Sequence, residues 1–380
     1  MKELPSVLID HRPALFNREG IGRVARELVR ALGELADAPP LALFGGGLRA
    51  PRVSREELGL PPDARLVAPR WPARFTAPLL RTLGGADRLF DAALVHHTQL
   101  RELPVSRRGA STLMVFDLMF TDGGSGWLDP RAARGMERRL RALLPKQRRV
   151  QVTSEVVRRD LVERGWFDDA LVDAVPLGGD HVQRVEPLGE HEQARAVPSE
   201  PFLLTVSRLD PRKGHDLALA AFERLVDRGF DGRWVIAGPP GYRADELWAE
   251  LSASKHARRI EWRRLVDERE LRALYEACTC FVFPSRAEGF GLPPIEAMWA
   301  GAPVVSSRAT SLEEVVGLGA DTFDPNEADA VDALAAALEQ VVSDATYRRG
   351  LVERGRAWRE RFTWRACAEA SLASWRRALQ

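Results

Sequence analysis

A chain of 380 residues is too long for one ordinary hydrophobic core and is about right for two domains of typical size. The apolar share of 45% and the charged share of 29% are those of a globular protein, which excludes a disordered or fibrous chain. The net charge of +1 argues against a nucleic-acid partner, and three cysteines without zinc-type spacing argue against a disulfide framework. The first residues contain no apolar run that suits a signal peptide or a membrane span, so we expect a cytoplasmic protein.

Short apolar runs typical of strands alternate with helical periodicity through the first half of the chain. The clearest helix is predicted over residues 21–35, where Val24, Leu28 and Leu32 fall on one face and charged residues on the other. The alternation predicts a parallel sheet in a Rossmann-like domain over residues 1–182. The predicted strands are residues 7–9, 41–44, 93–95, 113–116, 149–152 and 171–175.

A polar stretch without periodicity, residues 183–200, reads as a linker before a second alternation begins. The second alternation predicts another Rossmann-like domain over residues 201–362, and residues 363–380 form a last helix that we expect to pack back toward the N-terminal domain. The predicted strands of the second domain are residues 202–206, 234–237, 280–283 and 304–305. Its predicted helices are residues 216–228, 245–253, 268–277 and 294–300.

Two glycine-containing segments follow predicted strands, where ligands bind in open α/β sheets. In residues 17–23 the pair Gly20 and Gly22 opens a helix and suits a phosphate oxygen, although a plain strand-to-helix turn explains it equally well. In residues 207–214 Arg208 offers a fork of donors and Lys213 a mobile charge, a combination matched to a diphosphate. The alternative for this segment is a solvated charged loop.

A third segment runs Glu288-Gly-Phe-Gly-Leu-Pro-Pro-Ile-Glu296 after the predicted strand 280–283. Its glycine-rich turn supplies backbone N–H groups for an anion, and the two prolines pre-set a helix that carries the second glutamate. A carboxylate beside a phosphate-binding turn repels phosphate, so its useful partners are the hydroxyl groups of a sugar or a ribose. Singly, each glutamate is also explained by a salt bridge or by the dipole of the helix.

Together these motifs resemble the large family of retaining glycosyltransferases with the GT-B fold, which is typified by two glutamates with seven residues between them. The resemblance covers nearly the whole chain, from Asp10 and the Gly20–Arg23 turn through Ser207–Gly214 and Glu288–Glu296 to Phe362-Thr-Trp364. It implies two Rossmann-like domains facing across a cleft, with a nucleotide-sugar donor bound to the second domain. It also implies transfer without a metal or another cofactor, and no Asp-any-Asp triplet is present in the sequence.

The resemblance also implies roles for particular residues. Arg208 and Lys213 would bind the donor diphosphate and stabilise its negative charge as it leaves. Glu288 would contact the hydroxyls of the transferred sugar, and Glu296 would hold the ribose. The remaining donor-binding residues implied are Gly22 at the distal phosphate, the backbone of Phe290, Gly291 and Leu292 at phosphate and sugar, and Gly238 and Leu265 at the base.

One departure from the family concerns the strand that ends at Phe116. Many relatives have His-Asp there, whereas this chain has Phe116-Asp117, so a hydrogen bond to the C6 side of the sugar is missing. His97 is the nearest substitute, with a core histidine as the alternative. Asp117 is the candidate proton acceptor from the protein, beside a phosphate oxygen of the donor.

The function predicted is therefore transfer, with retention, of a hexose-type sugar from a GDP-mannose-like or UDP-sugar donor to a hydroxyl of a saccharide, lipid-linked or other acceptor. The alternatives are a catalytically weakened sugar-binding or scaffolding relative, and a glycoside hydrolase or phosphorylase on the same fold. The basic stretch Arg131–Arg149 is interleaved with apolar residues, which suits peripheral contact with an anionic membrane at its inner face. A solvated helix of an Arg-rich protein explains that stretch equally well.

Overall fold

The computed structural model of the chain describes residues 5–16, 20–47, 54–55, 58–121, 124 and 126–380. Two compact units result. The first unit comprises Met1–Gly123, Pro130–Gly178 and Trp364–Gln380, and the second comprises Gly124–Asp129 and Gly179–Thr363.

Both units alternate strands and helices. The strands are β1 Val7–Asp10, β2 Leu41–Phe44, β3 Arg65–Val67, β4 Leu94–His97, β5 Ala110–Val115, β6 Arg149–Val152, β7 Val172–Ala174, β8 Phe202–Val206, β9 Arg233–Ala237, β10 Ile260–Arg263, β11 Cys280–Phe283, β12 Val304–Ser307 and β13 Asp321–Phe323. The helices are α1 Arg12–Phe16, α2 Gly20–Gly33, α3 Ala73–Thr82, α4 Ala86–Leu89, α5 Pro130–Leu143, α6 Glu155–Glu163, α7 Glu190–Ala196, α8 His215–Asp227, α9 Ala244–Ser252, α10 Glu268–Ala277, α11 Leu292–Ala300, α12 Leu312–Val316, α13 Ala330–Ser343, α14 Ala345–Arg359 and α15 Trp364–Ala378.

The first unit is built on a parallel sheet with the strand order β3-β2-β1-β4-β5-β6-β7. All four residues of β1 are buried, as in a strand covered by helices on both faces. The apolar face of α2, including Val24, Leu28 and Leu32, is buried, as its periodicity predicts. Strands β1 to β3 are added to the sheet in one direction and β4 to β7 in the other. The switch point, where open α/β sheets bind ligands, therefore lies between β1 and β4.

The last helix, α15, belongs to the first unit and packs on α2, β5 and β6. Trp364 and Trp375 of this helix are almost completely buried. The indole nitrogen of Trp375 lies 3.3 Å from Nδ1 of His96 in β4, and the hydroxyl of Ser374 donates to Asp173 of β7 at 2.7 Å. The return of this helix to the N-terminal domain, which the sequence predicts, is thereby confirmed.

The second unit has a parallel sheet with the strand order β10-β9-β8-β11-β12-β13. Here β8 and β11 flank the switch point. Large side chains such as Phe202, Phe222 and Trp234 fill the core beneath them. The loops that follow β8 and β11 are the two segments in which the sequence predicts donor binding.

The stretch 183–200 differs from the irregular linker that the sequence predicts, because it belongs to the second unit and contains α7. No residue of α7 is buried, so the helix has no apolar face to reveal it in the sequence. Hydrogen bonds from two arginines attach α7 to the rest of the second unit. Arg269 donates to Glu192 at 2.9 Å, and Arg263 donates to the carbonyl of Ala196.

Candidate active site

Two loops meet at the switch point of the second sheet, one after β8 and one after β11. The N–H of Arg286 donates to the carbonyl of Arg212 at 2.8 Å, and Ser285 donates its hydroxyl to the same carbonyl at 3.3 Å. Gly214 permits the approach, since a Cβ at this residue would lie 2.0 Å from the carbonyl oxygen of Pro284. The φ of Gly214, +69°, also favours glycine. Residues 70 to 74 positions apart in the sequence are therefore fixed against each other.

Glu288 is the centre of this meeting point. Its Oε1 accepts hydrogen bonds from Nζ of Lys213 at 2.6 Å and from the hydroxyl of Ser285 at 2.7 Å, and its Oε2 accepts from Nη1 of Arg212 at 3.0 Å. Arg212 also donates to the carbonyl of Ala287 at 2.5 Å. The site thus holds one buried carboxylate against two cations and a hydroxyl.

The surroundings of Glu288 keep it ionised. Burial by itself would raise the pKa of this carboxyl, but the charges of Arg212 and Lys213 and the hydrogen bonds from Lys213 and Ser285 outweigh it and lower the pKa to about 2. A carboxyl with this pKa does not exchange a proton near neutral pH. Glu288 is therefore suited to accept hydrogen bonds and to carry a fixed negative charge rather than to act as a general acid.

Two groups in the facing loop, after β8, also have displaced pKa values. Burial and the neighbouring Arg212 lower the pKa of Lys213, although Glu288 opposes them. Burial raises the pKa of Asp210, with Arg212 and Lys213 opposing and Glu288 adding to the rise. Oδ1 of Asp210 is buried without a hydrogen-bond partner among the described residues. Displaced pKa values concentrated in one loop are typical of functional sites.

Two side chains fix the backbone at the start of the glycine-rich turn between Glu288 and α11. Thr310 accepts from the N–H of Glu288 at 2.8 Å, and Ser311 donates to the carbonyl of the same residue at 2.8 Å. The N–H groups of Phe290, Gly291 and Leu292 make no hydrogen bond to the described part of the chain. Because the next two residues of α11 are prolines, which lack an N–H, these three groups supply the donors at the start of the helix.

Glu296 lies one turn into α11, where its side chain is only 6% exposed. Its Oε2 accepts a hydrogen bond from the hydroxyl of Tyr275 at 2.9 Å, and its Oε1 lies 3.2 Å from Nε2 of His181. The ribose contact implied for Glu296 stays a prediction, and it requires one of these oxygens to accept a further hydrogen bond.

The other residues predicted at the donor site of the second unit lie near its surface. Arg208 is exposed directly after β8, and Leu265 is 90% exposed after β10. Gly238 follows β9 with a φ of +146°, and a Cβ there would lie 2.2 Å from the carbonyl oxygen of Ser207. Its own carbonyl accepts from the indole of Trp262 at 2.8 Å. The exposure of Leu265 and the glycine-restricted turn at Gly238 are each compatible with the base contact that the sequence predicts.

Three of the residues predicted from the sequence, Gly22, His97 and Asp117, belong to the first unit. Gly22 is buried as the third residue of α2, and the preceding residues 17–19 of the predicted phosphate turn lie outside the described residues. Asp117 follows β5, and its Oδ1 accepts from the N–H of Met119 at 3.1 Å. His97 is buried, with its ring nitrogens 3.1 Å from the carbonyl of Thr112 and 3.2 Å from the carbonyl of Leu103. These contacts favour the core alternative for His97 over a sugar contact.

Three residues of the second unit that sequence reasoning did not single out belong to the site. Arg212 stands next to Lys213 in the same charged loop, and that position is the one signal that could have identified it. His181 and Tyr275 are 115 and 21 residues from Glu296, and no sequence spacing relates them to it.

Comparison with known proteins agrees with this architecture. Residues 189–358 match the family model described as glycosyl transferases group 1. The O-antigen chain mannosyltransferase B of Escherichia coli is 34% identical over 176 residues, which cover 46% of this chain and 45% of that protein. The chain thus spans about half the length of this curated relative.

Solved structures resemble nearly the whole chain. The sucrose-phosphate synthase of Thermosynechococcus elongatus covers 98% of this chain and 98% of its own, with a TM-score of 0.71 and 21% identity. The Anabaena protein HepE in complex with UDP-glucose covers 97% of this chain and 99% of its own, with a TM-score of 0.72 and 15% identity. At these identities the likeness defines the fold.

The fold class is therefore α/β with two Rossmann-like domains of the GT-B kind, as the sequence predicts. Within this fold, residues 189–358 match the glycosyl transferases group 1 model, in agreement with the resemblance to glycosyltransferases seen in the sequence.

Proposed function

We propose that this protein is a retaining glycosyltransferase that moves a hexose-type sugar from a nucleotide-diphosphate sugar to a hydroxyl of a saccharide or lipid-linked acceptor, without a metal. The observation that carries the proposal is the ionised, buried Glu288 held against Lys213 and Arg212, next to a turn with three N–H groups available for an anion. Cations and N–H groups suit a diphosphate, and a fixed carboxylate suits the hydroxyls of a sugar.

In the proposed reaction Lys213, Arg208 and Arg212 stabilise the negative charge that develops as the diphosphate departs, together with the N–H groups of Phe290, Gly291 and Leu292. Glu288 accepts hydrogen bonds from the sugar and favours the positive charge that develops on its ring. Since the low pKa of Glu288 removes it from proton transfer, the proton of the acceptor hydroxyl passes to a phosphate oxygen of the donor or to Asp117.

The donor and the acceptor are proposed by class. Similarity to a mannosyltransferase supports a GDP-mannose-like donor. UDP-sugars are the alternative donors, because the fold resembles that of a protein solved in complex with UDP-glucose. Gly238 and Leu265 are proposed to line the pocket of the base, Glu296 to hold the ribose, and Gly22 to approach the distal phosphate.

The test incubates the purified chain with GDP-mannose or UDP-glucose, with and without saccharide acceptors, in the presence of EDTA. We expect nucleotide release that depends on the acceptor and an NMR-detected product with the anomeric configuration of the donor. Sugar release without an acceptor would support a hydrolase instead, and consumption of inorganic phosphate would support a phosphorylase. No turnover with intact binding of nucleoside diphosphate would support the weakened relative suggested by Phe116.

The matched variants are Lys213→Gln and Lys255→Gln. Lys213 is buried at Glu288, whereas Lys255 lies in an exposed pair with Asp227 at the same 2.6 Å distance. We expect the first change to lower kcat/KM by at least tenfold and the second to leave it unchanged. Equal activities would contradict the proposed role of the cluster at Glu288.

Peripheral contact with an anionic membrane through Arg131–Arg149 is a separate part of the proposal. The apolar face of α5, with Ala133, Leu140 and Leu143, is buried within the first unit, so contact would be electrostatic through the exposed arginines. None of the helices described is long and apolar enough to cross a membrane. Co-sedimentation with phosphatidylglycerol vesicles at physiological salt tests the contact, and no binding would remove it.

A further inference from the structure

A cavity of about 420 Å³ lies within the first unit, at a place that the proposed function does not use. Arg12 reaches it from the end of β1, and Leu100, Arg101 and Glu102 reach it from the segment after β4. These two strands flank the switch point of the first sheet, where open α/β folds bind ligands. The volume lies within the range of about 300–1,000 Å³ typical of small-molecule sites.

The lining of this cavity is strongly basic. Five of its twelve residues are Arg or Lys and one is acidic. The acidic one, Glu102, is already engaged by Lys146 at 2.8 Å and by Arg81 at 2.5 Å. Arg12 is buried in a two-bond pair with Asp10 at 2.7 Å. No carboxylate of the described residues pairs with Arg74, Arg101 or Arg139, and these exposed side chains make the field at the cavity positive.

A buried hydroxyl adds a second, independent observation. Thr76 lines the cavity with 2% of its surface exposed, and its Oγ1 has no hydrogen-bond partner among the described residues. A buried hydroxyl without a partner costs free energy unless a ligand supplies one. Ala73 and Arg74, the first residues of α3, also line the cavity, so the positive end of that ten-residue helix adds to the field.

We propose that this cavity binds a small phosphorylated molecule, with its phosphate held by Arg74, Arg101 and the hydroxyl of Thr76. A phosphate monoester carries a charge of about −1.5 to −2 near neutral pH and several strong acceptor oxygens. It therefore matches several unpaired cations and a hydroxyl better than a carboxylate with a single charge. None of the residues that line the cavity has a role in the proposed transfer reaction, so phosphate binding can be tested separately from that reaction.

The test measures binding of inorganic phosphate to the full chain by titration calorimetry in a phosphate-free buffer. We expect Arg101→Gln and Thr76→Val each to weaken binding, by about tenfold for the charged contact. Arg159→Gln is the matched control, because Arg159 is exposed in the same unit on α6 and does not line the cavity. Thermal unfolding of each variant verifies the fold.

Lys213→Gln separates the cavity from the candidate active site. Unchanged phosphate binding in this variant, with loss in Arg101→Gln, supports the cavity. Loss in Lys213→Gln with unchanged binding in Arg101→Gln would overturn the proposal, because the phosphate would then occupy the second unit. No binding by the parent chain would overturn it too, while acceptor-dependent nucleotide release in that same preparation would leave the proposed function intact.

Vesicles that contain phosphatidic acid, whose headgroup is a phosphate monoester, distinguish the source of the phosphate. If the vesicles bind the parent chain and Arg101→Gln, but not Arg159→Gln, weakens that binding, a lipid headgroup supplies the phosphate. If only soluble phosphate responds to Arg101→Gln, the ligand is a soluble phosphate ester. Either result supports the phosphate site, whereas equal weakening by Arg159→Gln in both arms would overturn it as non-specific attraction.

Discussion

Nζ of Lys213 lies 2.6 Å from Oε1 of Glu288, and the two side chains are only 12% and 10% exposed. Lys255 and Asp227 form an ion pair of the same length in the same unit, with side chains 59% and 47% exposed. Equal distances thus occur in two different environments. Breaking a buried pair leaves an uncompensated charge away from water, whereas an exposed pair is replaced by solvent.

The first prediction concerns the energy of this buried pair. Lys213→Met and Glu288→Leu should each lower the free energy of unfolding of the second unit by about 3–5 kcal/mol, because each strands a buried charge. The double variant should lose less than the sum of the two. Urea unfolding followed by hydrogen exchange in peptides from β8 and β11 measures these values.

The matched pair of changes, Lys255→Met and Asp227→Leu, should each have an effect of at most about 1 kcal/mol. Additive losses in the Lys213 and Glu288 variants would mean that the two side chains are not energetically coupled.

The second prediction concerns acid stability. The pKa of Glu288 is about 2 in the folded chain, against an ordinary value of 4.5 for an unfolded glutamate. The ionised form therefore stabilises the fold fully above about pH 4.5, and this contribution is lost as the pH falls toward 2. The free energy of unfolding of the parent should exceed that of Glu288→Gln by on the order of 3 kcal/mol at pH 7.

The difference between parent and variant should shrink progressively between about pH 4.5 and 2. Denaturant unfolding of both proteins over this range measures it. A difference that stays constant down to pH 2 would show that Glu288 is not held ionised by its neighbours.

The third prediction concerns the glycine-rich turn. Gly291 has a φ of +103°, and a Cβ there would lie 2.4 Å from Cδ2 of Leu312. Gly291→Ala should therefore lower stability by about 1–3 kcal/mol and weaken binding of GDP or UDP, because the turn must shift its N–H groups. Calorimetric titration and thermal unfolding measure the two effects.

Gly350 provides the control for that change. It lies inside α14, and a Cβ there would meet no atom within 4 Å. Gly350→Ala should stabilise the chain by about 0.5–1 kcal/mol, since alanine suits a helix interior better than glycine. The two substitutions are chemically identical and should have opposite signs, and equal signs would contradict this account of the turn.

The fourth prediction concerns the last helix. Trp375→Ala should lower the stability of the first unit by about 3–5 kcal/mol, because it leaves a large cavity beside His96. Hydrogen exchange in β5 and β6 should accelerate, while β8 and β11 should be unaffected. Arg365→Ala, at a side chain that is 69% exposed, should change stability by less than about 0.5 kcal/mol. Acceleration in both units alike would contradict the assignment of α15 to the first unit.

Much of the fold could be predicted from the sequence because its central strands are buried runs of apolar residues. The strands at residues 41–44, 149–152, 202–206 and 280–283 agree residue for residue with the structure. The strands that no prediction identified, β3, β10 and β13, have three or four residues and lie at sheet edges, where partial exposure weakens the apolar signal.

The candidate site could be predicted as segments more readily than as contacts. Arg208 stands directly after a strand and so drew the prediction of a diphosphate contact, yet it is Arg212 that lies against Glu288. Arg212 and Lys213 lie in the short helical turn Pro211–Lys213, whereas Arg208 precedes it. The pairing of Arg212 with Glu288, like that of His181 with Glu296, depends on tertiary contacts that no local pattern encodes.

The placement of α15 has a consequence for synthesis on the ribosome. Strands β5 and β6 emerge early, but the helix that covers them is translated only after the entire second unit. The nascent first unit therefore carries an uncovered apolar face while more than 180 further residues are added. Its completion must wait for the second unit, so we expect chaperones that recognise exposed apolar surface to engage the N-terminal half of the nascent chain and to be released when Trp364 and Trp375 dock.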